Sequence, residues 1–105
     1  MITNQDFINY CGIDLKKRIK GDITNIEEQI EVFFERMQSH LVDYLPGLKV
    51  SDLTDAEETT LNKAIMEQAF YQLSNGDGSL IGDVETISNK AVMILKNGCL
   101  WSFRL

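Results

Sequence analysis

Asn75-Gly76-Asp77-Gly78-Ser79 has the oxygen-rich, glycine-punctuated look of a calcium loop. Placing Asp77 and Gly78 at the fifth and sixth positions of an EF-hand puts Leu73 first and Val84 last, where oxygen ligands are required. Calcium chemistry is therefore rejected, and the cluster reads as a helix-ending turn with glycines where φ must be positive. His40 has one suitably spaced partner, Asp43, so it is expected to be a partly buried structural histidine. Cys11 and Cys99 lie far apart, with Lys16, Lys17 and Lys96 nearby but no helix N-terminus to lower their pKa values. They are expected to be free, buried, small hydrophobes in a reducing cytoplasm rather than a disulfide. With no cysteine–histidine cluster and no nucleophile–base pair, the sequence predicts no metal, no cofactor and no enzymatic activity.

The charged residues say more. Glu27, Glu31 and Glu35 stand at i, i+4 and i+8, a like-charge row that costs a few tenths of a kcal/mol per pair in an isolated helix. The helix dipole offsets that cost for Glu27 and hardly for Glu35. Upstream, Lys16, Lys17, Arg18 and Lys20 place four cations in five positions, whereas residues 22–67 hold eleven acids and three bases. Charge is thus segregated along the chain, and two readings stay open. Either a solvated acidic face lies beside a solvated basic loop, or one copy's basic segment meets the next copy's acidic row, as a head-to-tail interface requires.

The residues Leu100, Trp101, Phe103 and Leu105 form a second apolar feature. Two readings again stay open: the segment folds back onto the core, or Trp101 and Phe103, with Arg104, dock a partner.

Helices must position these groups. From Thr24 to Leu45, apolar residues at Ile26, Ile30, Phe33, Phe34, Met37, Leu41, Tyr44 and Leu45 step by threes and fours along one face. Thr24 and Glu27 have capping-box spacing, with Asn25 as a competing cap, and Pro46-Gly47 ends the run. A second helix is predicted from Thr54 to about Ser74, capped by Thr54 and Glu57, with Leu61, Ile65, Ala69 and Leu73 every fourth residue. Met66 and Phe70 widen its stripe. A third runs from Ser88 to Asn97 with Gly98 at its C′ position, and a small helix near Thr3 to Cys11 closes at Gly12. Residues 79–87 read as an ordered loop with a short extended piece, and 13–21 carry no clear period. The expectation is one all-α domain over 1–105: a small bundle of three to four helices, with one long helix (24–45) packed on a second (54–74).

Composition agrees. At 105 residues with 44% apolar content and one proline, the chain is expected to fold around a single core. A net charge of -6 disfavours a nucleic-acid binder that works by neutralising phosphates. No apolar run approaches the ~20 residues of a membrane span. Met1 to Phe7 lacks a basic and an apolar leader region, which argues against secretion.

The segment Ala64-Ile65-Met66-Glu67-Gln68-Ala69-Phe70-Tyr71-Gln72-Leu73-Ser74-Asn75-Gly76-Asp77 resembles the central helix of the small head–tail connector (adaptor) proteins of tailed bacteriophages and prophages. The order of elements is similar over nearly the whole chain. A long helix carries Phe33-Phe34-Glu35-Arg36 and His40-Leu41-Val42-Asp43-Tyr44-Leu45. The Glu-Gln-Ala helix follows, then a loop into Ile87-Ser88-Asn89-Lys90-Ala91 with Leu95 and a glycine turn.

The resemblance implies an all-α, non-enzymatic subunit that assembles into a ring, commonly twelve-fold, beneath the portal. Such a ring extends the DNA channel and offers a platform for the next neck or tail-completion protein. It would be built in the bacterial cytoplasm and reside in the virion neck. DNA would pass without sequence-specific binding, which suits an acidic chain with few phosphate attachments. Two alternatives are a small acidic helical module that regulates a host protein, and an acidic DNA mimic. A mimic needs phosphate-like carboxylates over an extended face, whereas these concentrate on one helix row and its flank.

Overall fold

The computed structural model describes residues 2–19, 25–76, 78, 80 and 86–101. Among them are four helices: α1 (Asn4–Cys11), α2 (Ile26–Tyr44), α3 (Asp55–Asn75) and α4 (Asn89–Asn97). A 3₁₀ turn, Leu15–Arg18, follows α1. The architecture is all-α, and α2 and α4 both pack on α3, with α1 touching α3 at its side.

Side-chain caps start α1, α3 and α4. Thr3 and Asp6 form a reciprocal capping box on α1, and Gly12 ends it at φ 81°, its N–H donating to the Ile8 carbonyl. The stretch after Gly12, without period in the sequence, is fixed by side chains instead. Asp14 accepts from the Lys16 N–H at 3.0 Å and from Asn4 Nδ2 at 2.9 Å, while Asn4 Oδ1 accepts from the Leu15 N–H at 2.9 Å. This clamp seats Leu15 fully in the core.

Of the two caps that the spacing offered for α2, the structure places Asn25 at the N-cap position. Asn25 has φ 65° and no side-chain capping bond, and Thr24 lies outside the described residues. The inner face of α2 buries Ile30, Phe33, Phe34, Met37 and Leu41. Phe34 meets Phe7 of α1 edge-to-face with ring centroids 5.6 Å apart. Tyr44, counted in the apolar stripe by its spacing, is the last residue of α2 and is exposed, whereas the neighbouring Leu45 is buried.

The Thr54–Glu57 capping box forms as expected, and α3 is the central pillar of the molecule. Leu61, Ile65, Ala69 and Leu73 are buried, and so are Ala64, Met66, Glu67, Gln68 and Gln72, so nearly every side of the helix faces protein. A period-based reading finds one stripe. It misses the second face, because that face is polar or small and is covered by α4 and α1.

The glycine roles also move. Gly98 is the C-cap of α4 at φ -88°, and Cys99 takes the left-handed position at φ 59°. The Cys99 N–H donates to the Lys96 carbonyl and the Leu100 N–H to the Leu95 carbonyl, a Schellman closure. Gly98 is required for space: a Cβ there would overlap the Thr60 side chain of α3. Gly76 likewise has negative φ (-93°), whereas Gly78 has φ 81°. Of the loop predicted over 79–87, Leu80 is buried and 86–87 run without regular structure; 79 and 81–85 lie outside the described residues.

Candidate interaction surfaces

Among the described residues, no group of three or more His, Cys, Asp or Glu could hold a metal ion. The Leu73 side chain is buried where a calcium loop would begin, and Asp77 and Ser79 lie outside the described residues. His40 is half-buried on α2, its ring 5.9 Å from that of Tyr44, and its buried Nε2 has no hydrogen-bond partner among the described residues. Asp43 does not supply one.

The cysteines depart from the buried pair expected. Cys11 is half-buried and directs its Sγ to the Phe7 carbonyl at 3.4 Å, and burial pushes its thiol pKa up. Cys99 is exposed, because the left-handed C′ position carries it off the core. Both are free thiols.

The basic turn packs against α2, the helix of the acidic row, and none of its three described cations lines the groove that row borders. Lys16, Lys17 and Arg18 are all exposed on the 3₁₀ turn, and Arg18 Nη1 lies 3.5 Å from the Gly78 carbonyl, just past the C-terminal end of α3. Lys20 lies outside the described residues. On α2, Glu27 and Glu35 are exposed and Glu31 is half-buried. Glu31 and Glu35 line a groove of about 510 Å³ between α2, the 50–53 segment and the first half of α3. Its apolar lining is Ile2, Phe34, Val50, Leu53, Leu61 and Ile65, and Glu58 completes its acidic rim. Among the described residues its lining includes no Lys or Arg. Glu27 is not part of it. Sequence reading missed Glu58, since only the packing of α2 against α3 carries it to the Glu31–Glu35 row.

A second carboxylate that sequence reading left in the solvated block is inside. Glu67 is 9% exposed and accepts from the Tyr10 hydroxyl at 2.9 Å, tying α1 to α3. Burial, then the hydrogen bond and charge of Glu67, push the Tyr10 phenol up to about 12.

At the C-terminal side, Leu100 folds back and is buried, and its carbonyl accepts from the Lys49 N–H at 3.3 Å. Trp101 is half-buried, forms an antiparallel bridge with Leu48, and has Lys96 Nζ 4.8 Å from its ring centroid. Phe103 and Arg104 lie outside the described residues.

No described helix is long and apolar enough to cross a membrane. No protein-family model, curated protein or solved structure matches the chain.

Proposed function

We propose that this chain is a structural head–tail connector subunit of a tailed bacteriophage or prophage. It assembles as a ring below the portal, extends the DNA channel, and presents a platform to the next neck or tail-completion protein. The observation that carries this reading is the place of residues 64–75. The segment that resembles the connector family's central helix is the buried pillar on which α2 and α4 pack. Further support comes from the separation of an exposed basic turn and an acidic groove, two unlike patches of the kind a ring contact uses. An acidic subunit lets DNA slide, since few cations mean few phosphate attachments.

The test is negative-stain imaging of portal rings with and without the purified chain. Added annular density on one face of the portal is the expected result; unchanged portals at saturating chain concentration refute the reading.

A further inference from the structure

We infer that the groove between α2 and α3 is the docking site for the Lys16-Lys17-Arg18 turn of a second copy of this chain. The inference rests on the reading of the chain as a ring-forming subunit and assigns the two halves of its self-contact. Three observations support this occupant. The groove combines an apolar floor (Phe34, Leu53, Leu61, Ile65) with carboxylates at Glu31, Glu35 and Glu58 and, among the described residues, no lining cation. That composition suits lysine and arginine, whose methylene stems cover apolar surface while their charged heads reach acids.

The 3₁₀ turn offers three successive exposed cations, and it is held rigidly by Leu15 in the core and the Asn4–Asp14 clamp, so little ordering is needed on docking. Finally, the two surfaces sit at different ends of α3. The helix residues lining the groove, Glu58 to Ile65, lie in its first half, while Arg18 reaches Gly78 beyond its C-terminus. From Glu58 to Asn75 the helix rises about 26 Å, farther than a side chain spans. The basic turn therefore cannot fill the Glu58 end of its own groove, and a second copy can. Because the patches differ, the contact is head-to-tail and propagates.

The test is a charge exchange read by sedimentation velocity at low ionic strength. One variant carries Lys16→Glu, Lys17→Glu and Arg18→Glu; the other carries Glu31→Lys, Glu35→Lys and Glu58→Lys. Each alone should keep its far-UV CD spectrum and self-associate at least about tenfold more weakly than the parent. Their equimolar mixture should regain association, since each reversed patch then faces its complement. Raising the salt should weaken parent and mixture alike. If either triple variant unfolds, Lys17→Glu and Glu58→Lys form the same cycle singly. A parent that stays monomeric at all concentrations overturns the inference. So does undiminished association of either variant, or a mixture that fails to recover. Portal attachment is scored separately, so ring density on the portal with a failed exchange would reject the groove and leave the connector reading standing.

Discussion

The Gln68 side chain accepts a hydrogen bond from the Ser88 backbone N–H at 2.7 Å, while its Nε2 donates to the Thr86 carbonyl at 3.2 Å. Through this one buried amide, α3 sets where α4 begins, because Ser88 is also the α4 N-cap and its Oγ accepts from the Ala91 N–H. A glutamine in the centre of a buried helix face is thus a joint between elements. Its amide suits the task, presenting a donor and an acceptor side by side.

Gln68→Leu should cost about 1–3 kcal/mol, set chiefly by the Ser88 N–H left buried without an acceptor. Gln68→Glu keeps that acceptor but turns a carboxylate toward the Thr86 carbonyl. Its folded-state pKa should rise, so its stability should be recovered in acid and fall as pH rises through that value. Urea denaturation at acidic and neutral pH measures both.

Gly98→Ala should destabilise the chain by about 1–3 kcal/mol, because the added methyl overlaps Thr60 where α4 meets α3. Thr60→Ala in the same chain should return most of the loss. At the next residue, Cys99→Gly should stabilise by up to about 1 kcal/mol, since glycine takes φ 59° without a Cβ penalty. An unchanged midpoint for Gly98→Ala in thermal melts would contradict the close approach.

Tyr10 gives the fold an alkaline sensitivity. Its phenol is pushed up to about 12 in the folded state, against about 10 in the unfolded chain. The neutral form is the one the fold favours, so the contribution is complete below about pH 10 and is lost as pH rises toward 12. Tyr10→Phe should flatten stability over that window relative to the parent. Equal slopes for the two proteins in urea titrations from pH 9 upward would reject the coupling to Glu67.

Phe33→Ala, Ile65→Ala and Leu100→Ala should each cost about 2–5 kcal/mol, because all three side chains are buried in one core. Leu100 is the informative member. A loss below about 1 kcal/mol there, with large losses at the other two, would place the segment after Gly98 outside the cooperative unit.

The helices were legible in the sequence because their signals are local. Thr3 and Thr54 cap where hydroxyl and N3 carboxylate spacing says they should, and Phe33, Met37, Leu41, Leu61 and Ile65 bury on a 3.6-residue period. Segregation of charge was equally plain, since it is a property of order along the chain. What only the tertiary structure decided involves residues distant in sequence. Nothing local marks Glu67 and Gln68 as buried; Tyr10 and Ser88, distant in sequence, are what satisfy them inside. Gly98 reads as a left-handed stop until Thr60 reveals a limit of space. Glu58 joins the Glu31–Glu35 row only when α2 lies on α3. A local pattern encodes the torsions and faces available to a segment, whereas desolvation, hydrogen-bond satisfaction and steric exclusion depend on what another segment brings to the same point.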